Sequence, residues 1–375
     1  MSEAKIYEYT EENVQMLARK LWDGQLVAFP TETVFGLGAN AYNVEAVLNI
    51  FKVKKRPLTD PLIVHVSNWE QVCDLVDLSE FMVRNQSGEY YVDLIQKFAK
   101  DVWPGPVTMV FKAKDKVPRE ITAGTDTIGV RIPDHKTALH LLEVCQLPIA
   151  APSANLFSHV SPTRASHVYD DFKDQDISIL NGTDPVYGIE STIIKFGMGK
   201  VDVYRLGSLT IDDLKYSLSR NKLNNLEVVV HEKRIKEDEE CNAPGQYIKH
   251  YSPNLPTYIF GDFSNDDKVE KITMEELSRS VIVDLNFELE FLDKHCKHSF
   301  FDFYKTIKNA GEKLYLFLRE AEKIPDVDRI LISNMSDLKD EGVYNYFDED
   351  RLPAIVDKIN RATCGKKLSI PFKPE

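Results

Sequence analysis

Several patterns that would assign a chain to a familiar class are missing from these 375 residues. The five cysteines are scattered, form no Cys-x-x-Cys pair and leave an odd one over, which argues against a disulfide framework and fits a reducing compartment. No span of about 18 apolar residues occurs, and the N-terminus has no apolar signal core. We therefore expect a cytoplasmic protein without a membrane segment.

An excess of positive charge is also missing. The formal net charge is -13, which argues against a protein whose main task is to grip a nucleic-acid backbone, although a local basic groove is compatible with it. No G-x-x-x-x-G-K-[ST] sequence occurs, so a nucleotide is not held by a P-loop. The composition, with 43% hydrophobic and 28% charged residues, is that of a soluble globular protein, and the length favours two domains.

The strongest chemical signal that is present begins at residue 26. Leu26–Phe29 is apolar and ends at Pro30, which cannot donate to a sheet ladder, so the pattern predicts a buried strand that stops at a turn. The next three residues, Thr-Glu-Thr, therefore follow the carboxyl end of a strand, where open α/β sheets bind their ligands.

A cluster of cations follows in the same stretch. Apolar residues from Val44 to Phe51 recur at helical spacing and lead to Lys54, Lys55 and Arg56. Cations at a helix end can simply complement the macrodipole. A second strand carrying His65 follows closely, however, and so many cations are costly to gather without an anion. The cluster predicts a polyphosphate ligand.

Arginines and hydroxyls recur at later strand ends. Arg131 lies in an apolar strand pattern and needs an anionic partner if its head is buried. Arg205 ends another strand pattern. We expect these arginines to converge on one sheet edge with a set of small hydroxyl residues, namely Thr127, Ser153, Ser161, Ser191 and Thr192.

Two competing motifs carry less weight. Gly36-Leu-Gly38-Ala-Asn-Ala41 matches a relaxed dinucleotide pattern, but it does not follow its strand directly and no acid closes a second strand, so we assign the glycines turn and packing roles. His295-x-x-His298 with Cys296 has no further ligands at metal spacing and is interpreted as a surface pair.

The order of the patterns predicts an α/β protein. Strands alternate with helices over residues 1–217, and the dense strands late in this part suggest a mixed sheet flanked by helices. A charged stretch then predicts a linker over residues 218–255, which contains APGQYIKHYSP at 243–253. Residues 256–375 predict a smaller α/β domain with strands at YIF, VIVDL and RILIS.

The first domain resembles a known family. Its motifs occur in the order PTETVFGLGA, KKRPLTDPLIVHV, WPGPVTMV, TIGVRIPDH, PIAAPSAN with SPT, GIESTII and YRLGSLT. Together they resemble the YrdC-like threonylcarbamoyl-adenylate synthases. The linker and the second domain are similar, more weakly, to the long two-domain form of that family. The resemblance implies a YrdC-like twisted open mixed sheet followed by a Rossmann-like domain.

The resemblance also implies an activity. The family condenses L-threonine, bicarbonate and ATP into threonylcarbamoyl-AMP and pyrophosphate, and the activated group is then placed on the tRNA adenosine that follows the anticodon. It implies Mg²⁺ carried by the ATP phosphates without a protein metal site, small-molecule substrates, and product hand-off to a downstream threonylcarbamoyl-transfer complex. Stable nucleic-acid binding is not expected.

Site residues follow from the resemblance position by position, with Lys54 and Arg56 as the catalytic pair. The residues implied for L-threonine are Thr33, His65, Arg131, Ala151 and Ser191. The residues implied for ATP are Lys54, Arg56, Asp60, Thr127, Ser153, Asn155, Ser161, Arg205, Tyr247 and His250. We expect the 243–253 segment, with Tyr247, His250 and Tyr251, to act as a lid that excludes water from a hydrolysable intermediate.

The chain departs from the family pattern at several positions. Asp60 stands where asparagine is frequent, and its carboxylate would repel a triphosphate unless it contacts Mg²⁺, adenine or ribose. Ser158 lies in the LFSH segment that replaces a glycine, Leu206 replaces a proline, and Phe35 replaces a tyrosine. None of these changes removes a charged or hydroxyl group that the chemistry requires.

Two rival functions belong to other classes. An RNA-binding module could use the same basic groove, but the net charge counts against it. A carbamoyl-transfer domain of the hydrogenase-maturation type would stand beside zinc-finger regions, and paired Cys-x-x-Cys units are missing from the sequence.

Overall fold

The structure, a computed structural model, describes residues 3–85, 87–231, 251–263, 266, 268–302, 307–335 and 351–370. The chain divides into two compact units. The first unit comprises Met1–Phe157, Pro162–Val186 and Glu190–Tyr247, and the second comprises Ser158–Ser161, Tyr187–Ile189 and Ile248–Glu375. Within the described ranges, no helix is both long enough and apolar enough to cross a lipid bilayer.

The first unit alternates strands and helices. Its strands are β1 Lys5–Tyr7, β2 Leu26–Phe29, β3 Gly36–Asn40, β4 Ile63–His65, β5 Val76–Asp77, β6 Val107–Ala113, β7 Thr127–Arg131, β8 Ile149–Ala150, β9 Ile177–Leu180, β10 Thr192–Gly197, β11 Lys200–Arg205 and β12 Glu227–Val230. Its helices are α1 Glu11–Trp22, α2 Val44–Lys54, α3 Trp69–Leu75, α4 Tyr91–Val102, α5 Lys136–Cys145, α6 Ala165–Phe172 and α7 Ile211–Arg220, with a 3₁₀ turn over Ser79–Phe81.

These strands form one mixed sheet. Their order in the described part of the chain is β1-β9-β2-β3-β8-β4-β7-β6-β10-β11-β12, with β5 paired to β6. Strand β4 runs parallel to β7, so that His65 lies beside Arg131, whereas β6 runs antiparallel to β7 and parallel to β10. The mixed α/β sheet expected from the sequence is confirmed.

Side chains on the strands and helices form the core that holds this sheet. All four residues of β2 are buried, as the apolar run before Pro30 predicts. Helix α2 begins with the Asn43 side chain accepting from the Ala46 amide, and it ends where Lys55 adopts a left-handed φ of 55°. This end places Lys54, the last helical residue, among buried groups.

The glycine pair is the main difference from the expected local structure. Gly36 and Gly38 lie in strand β3, antiparallel to β2, and not in a turn. Their packing role is evident at Gly38, where a Cβ would lie 2.8 Å from both Phe29 and Ile149. The turn expectation was wrong because a glycine pair indicates close approach as readily as a bend, and here the neighbouring strands approach the backbone.

Two elements of the first unit lie at or beyond the predicted boundary at residue 217. Helix α7 crosses residue 217, and β12 lies within the predicted linker but pairs in parallel with β11. The functional roles assigned to the segments 1–217, 218–255 and 256–375 stay predictions.

The second unit contains a smaller parallel sheet. Its strands are β13 Thr257–Gly261, β14 Ser280–Asp284, β15 His298–Phe301, β16 Arg329–Ser333 and β17 Lys367–Ser369, in the order β15-β14-β16-β13-β17. Its helices are α8 Met274–Ser278, α9 Ile307–Ala321 and α10 Leu352–Thr363, with a 3₁₀ helix over Glu290–His295. Every pairing described in this sheet is parallel, which confirms the Rossmann-like α/β expectation.

Two short segments from the earlier part of the chain complete the second unit. The buried Arg319 donates from Nε to the Val160 carbonyl at 3.1 Å, and His159 Nε2 lies 2.9 Å from Glu322 Oε2. Gly188 packs so closely on helix α9 that a Cβ would lie 2.5 Å from the Gly311 carbonyl oxygen. Residues 158–161 and 187–189 are therefore held by the second unit.

Candidate active site

The loop after β2 positions the first of the implied substrate residues. Thr31 Oγ1 donates to the Val34 carbonyl at 2.7 Å and lies 2.8 Å from Thr33 Oγ1. Because the Thr31 hydroxyl proton is used on Val34, the Thr33 hydroxyl is the donor between the two threonines. Its oxygen is then free to accept, and it receives a hydrogen bond from Arg131 Nη1 at 3.0 Å.

Arg131, at the end of β7, is buried and held by three groups. Its Nε donates to the Gly105 carbonyl at 3.2 Å, and its Nη1 donates to Thr33. Its Nη2 lies 2.5 Å from Glu32 Oε1, and only 4% and 2% of the two side chains are exposed. The anionic partner that the sequence required for a buried Arg131 is therefore supplied, at least in part, by Glu32.

Glu32 had no predicted role from the sequence. The available signal was its position between the two threonines at the end of a strand. In the structure its carboxylate is buried and ion-paired, yet neither oxygen accepts a hydrogen bond from the described residues. Buried carboxylates ordinarily have such donors, so this group is unusual.

His65 ends β4 in register with Arg131. Its ring meets the Phe29 ring edge to face, with centroids 6.1 Å apart. Burial, together with the positive charge of Arg131, lowers the pKa of His65 to about 3, so the imidazole is neutral at pH 7. Its Nδ1 has no hydrogen-bond partner among the described residues.

The cationic half of the site begins at Lys54. This side chain is 1% exposed, and its Nζ donates to the Ser153 carbonyl at 2.6 Å and also to the Asn155 carbonyl. The Lys54 carbonyl in turn accepts from the Phe157 amide at 2.8 Å. The helix end and the Ser153–Phe157 segment therefore hold each other. The ATP-binding role of Lys54, Ser153 and Asn155 stays a prediction.

Arg56 and Asp60 form a second buried ion pair. Arg56 Nη2 lies 2.9 Å from Asp60 Oδ1, and the guanidinium also donates to the carbonyls of Asp60 at 3.1 Å and Pro61 at 2.7 Å. Burial raises the pKa of Asp60, against the attraction of Arg56, then Lys54, then Arg205. Three cations thus act on one carboxylate, and Asp60 contacts Arg56 directly.

Arg205 and Ser191 are brought together across β10 and β11. Arg205 donates from Nη2 to Ser191 Oγ and from Nε to the Ser191 carbonyl, both at 3.0 Å. Ser191 Oγ lies 2.8 Å from Thr108 Oγ1, a partner that the sequence analysis missed. Ala151 is buried and its amide donates to the Ile63 carbonyl at 2.9 Å.

The strands do not bring every implied residue to one sheet edge. Thr127 begins β7 and Arg131 ends it, so at a rise of about 3.3 Å per residue they lie roughly 13 Å apart along the strand. The expectation of a single edge was wrong in this respect, because the hydroxyl and the arginine belong to opposite ends of one strand. A ligand that contacts both must extend across the sheet.

Three of the implied residues are not among the described residues of the first unit. Ser161 is buried and groups with the second unit, while Tyr247 and His250 lie outside the described residues. Tyr251, from the same predicted lid, is buried in the second unit with its ring 5.5 Å from the Tyr315 ring. The lid role stays a prediction.

One departure from the family pattern has a visible backbone consequence. Ser158, which stands in the segment where the resemblance expects glycine, has a φ of 65°. This left-handed conformation favours glycine, and a serine there costs on the order of 1 kcal/mol. Phe35, the tyrosine replacement, is fully buried, as an apolar ring requires.

Comparison with known proteins places this geometry in a family. The family model described as "Telomere recombination", which covers Sua5, YciO and YrdC, matches residues 19–207. The model described as "Threonylcarbamoyl-AMP synthase, C-terminal domain" matches residues 218–364. The chain belongs to the threonylcarbamoyl-AMP synthase family. Both halves of the family's two-domain form are represented.

Individual relatives agree with the family assignment. A threonylcarbamoyl-AMP synthase of Pyrococcus abyssi is 37% identical over 66% of this chain and 68% of its own length. One from Schizosaccharomyces pombe is 32% identical over 92% of this chain and 86% of its own length. The crystal structure of P. abyssi Sua5 complexed with L-threonine is similar in fold, with a TM-score of 0.76 and 28% identity over 99% of both chains.

Proposed function

We infer that this chain is a threonylcarbamoyl-AMP synthase, a nucleotidyltransferase of tRNA modification. It condenses L-threonine, bicarbonate and ATP into threonylcarbamoyl-AMP and pyrophosphate. The observation that supports this function best is the presence, in one unit, of two buried clusters of side chains, one of mixed charge and one mainly cationic. Glu32, Thr33 and Arg131 suit an amino acid, whereas Lys54, Arg56 and Arg205 suit a polyphosphate.

The reaction requires two bond-forming steps. The threonine ammonium loses a proton to water, the free amine adds to the carbon of bicarbonate and water leaves, which gives a carbamate. A carbamate oxygen then attacks the α-phosphorus of ATP, the bond to the β-phosphate oxygen breaks, and pyrophosphate carries away the electron pair. Such transfers depend on positioning and on neutralised charge and need no covalent nucleophile.

Each group has a proposed task in these steps. Lys54 and Arg56 neutralise the phosphates, with Lys54 fixed on the Ser153–Asn155 carbonyls and Arg56 on those of Asp60 and Pro61. Arg205 adds positive charge from the end of β11. Thr33, His65, Arg131, Ala151 and Ser191 enclose the threonine, and His65 does so as a neutral ring.

The metal and the partners are proposals too. Mg²⁺ accompanies ATP as part of the substrate, since it keeps several waters and leans on phosphates. In the described part of the chain, no group of three or more His, Cys, Asp and Glu residues could hold a metal ion. The adenylate then passes to a complex that transfers the threonylcarbamoyl group to tRNA.

Pyrophosphate release tests the function. The purified chain is incubated with ATP, Mg²⁺, bicarbonate and L-threonine, and pyrophosphate is measured while mass spectrometry detects threonylcarbamoyl-AMP. Release should require both threonine and bicarbonate. Equal release without threonine would contradict the assignment, and salt-sensitive tRNA affinity without any adenylate formation would favour the RNA-binding alternative.

A further inference from the structure

The Glu32–Arg131 pair is charge-balanced but leaves hydrogen bonds unmade on both sides. The atoms Glu32 Oε1 and Arg131 Nη2 approach to 2.5 Å. Nevertheless, Oε1 and Oε2 of Glu32 and Nη2 of Arg131 make no hydrogen bond to any residue that the structure describes. At so short a distance the cause is direction, since the Nη2 protons are not aimed at the carboxylate.

The rest of Arg131 explains this direction. Its Nε is held by the Gly105 carbonyl and its Nη1 by Thr33 Oγ1, so the plane of the guanidinium is set by these two contacts. A planar guanidinium carries its Nη2 protons in that same plane. Glu32 therefore compensates the charge of Arg131 but does not lie in the direction of the Arg131 Nη2 protons.

A hydrogen-bond acceptor and a hydrogen-bond donor, both without partners among the described residues, thus lie side by side. One is a carboxylate that can accept several hydrogen bonds, and the other is a guanidinium nitrogen that can donate. An α-amino acid zwitterion carries the matching pair, because its ammonium donates and its carboxylate accepts. A neutral pair that binds a net-neutral ligand also avoids leaving an uncompensated buried charge.

We propose that Glu32 is the residue that recognises the α-ammonium group of the amino-acid substrate, beside an Arg131 whose Nη2 faces the α-carboxylate. This inference rests on the proposed function and adds a specificity residue to it. Glu32 holds the reacting nitrogen in place and rejects β-hydroxy acids that lack an amine.

Other acidic or basic groups nearby fit this task less well. Asp60 also has two oxygens without hydrogen-bond partners among the described residues, but it lies under the influence of Arg56, Lys54 and Arg205, and three cations suit phosphates and not an ammonium group. His65 is neutral because its pKa is lowered to about 3 by burial and by Arg131, so it cannot offer a negative charge. His135, whose pKa is lowered by burial against the attraction of Glu32, donates to or accepts from Thr183 through Nε2.

A double cycle, which combines one substitution in the protein with removal of the amine from the ligand, tests the proposal. Binding of L-threonine and of (R)-3-hydroxybutanoate, which lacks only the amine, is measured by calorimetry for the full chain and for Glu32→Gln. The unchanged chain should prefer L-threonine by about 10- to 100-fold, the range expected for charge-assisted hydrogen bonds. In Glu32→Gln this preference should fall below about threefold, through weaker binding of L-threonine and equal or tighter binding of the anionic analogue, because a carboxylate no longer opposes its charge.

The alternatives give different results. If Glu32 only positions Arg131, Glu32→Gln weakens both ligands equally and the preference is kept, which overturns the proposal. An unchanged preference with unchanged affinities overturns it as well. If Glu32→Gln does not fold, Glu32→Asp is measured instead, because it keeps the charge but withdraws it by one methylene and should reduce the preference in part.

A matched control separates local from general effects. Asp202 is also a buried carboxylate of the first unit, but it is partnered by Lys200 at 2.9 Å and His231 at 2.7 Å. Asp202→Asn should keep the full preference for L-threonine. Threonine-dependent pyrophosphate release with an unchanged preference in Glu32→Gln overturns this inference alone, whereas failure of the unchanged chain to bind L-threonine overturns the proposed function with it.

Discussion

Among the residues that the structure describes, one lysine in each unit is fully buried, and the groups around these two lysines differ. Lys54 donates to main-chain carbonyls of the Ser153–Asn155 segment. Lys358 lies 3.2 Å from the Asp357 carboxylate and 5.3 Å from the centre of the Tyr251 ring. Lys54 is therefore fixed by neutral main-chain acceptors while its charge acts on Asp60, whereas Lys358 contacts a carboxylate of its own helix directly.

Three buried carboxylates, Asp284, Glu32 and Asp60, also differ in how their hydrogen bonds are met. In the second unit, Asp284 accepts from the Leu289 amide at 2.7 Å and the Asn286 amide at 3.3 Å. In the first unit, Glu32 and Asp60 pair with arginines, but their oxygens accept no hydrogen bond from described residues. A buried charge whose hydrogen bonds are met by its own chain serves the fold. One whose hydrogen bonds are unmet indicates a place for a ligand.

The largest effect on activity is expected when the charge of the buried Lys54 is removed. Lys54→Met keeps the buried length but removes the charge, and it should slow threonine-dependent pyrophosphate release by at least about 100-fold, since charge stabilisation in a buried site is strong. Arg56→Ala should act in the same direction. Circular dichroism and thermal melting establish whether each variant is folded.

Lys358→Met is the matched control for this effect. Asp357 keeps Arg361 at 2.9 Å, so a buried partner remains. The steady-state rate should stay within about threefold of the unchanged chain, because a satisfied structural charge contributes to folding and not to the reaction. Equal loss of activity in both lysine variants would contradict the distinction.

An intermediate effect is expected at Asp284, and it concerns stability. Asp284→Asn removes one of the two acceptor oxygens that hold the loop after β14 and should lower the free energy of unfolding by about 1 to 3 kcal/mol. Denaturant titration measures this loss. The KM for threonine and for ATP should not change, and a change in either would mean that this carboxylate also serves the site.

The smallest effect is expected at Asp60. Asp60→Asn keeps the shape, and Arg56 remains held by the carbonyls of residues 60 and 61. Because a carboxylate repels phosphates, the KM for ATP should fall or stay within about threefold. A rise of tenfold or more in initial-rate measurements would show instead that the charge of Asp60 is needed, as a contact to Mg²⁺ or ribose would require.

The sequence predicted local structure where one short pattern decided it. The apolar run of Leu26–Phe29 before a proline became a fully buried strand, and the spacing from Val44 became helix α2. Strand β12, in contrast, lies within the stretch predicted as a linker. Its valines favour a strand, but its pairing with β11 could not be predicted from the sequence.

The types of residue in the site could be predicted from the sequence, but the contacts between these residues could not. The need of Arg131 for an anion could be read from the sequence, but Glu32 could not be identified as that anion. Arg131 is 98 positions from the adjoining Thr33, and only the order of strands in the sheet brings them together. Likewise, no local sequence pattern indicates that the Lys54 ammonium donates hydrogen bonds to carbonyl groups about 100 residues away.

The short segments held by the second unit have a consequence for synthesis of the chain. Val160 leaves the ribosome 159 residues before Arg319, the side chain that binds its carbonyl. N-terminal regions fold first during translation. Residues 158–161 and 187–189 therefore lack their partners in the second unit while the neighbouring parts of the chain have already been synthesised. Their final contacts can form only after helix α9 has been synthesised.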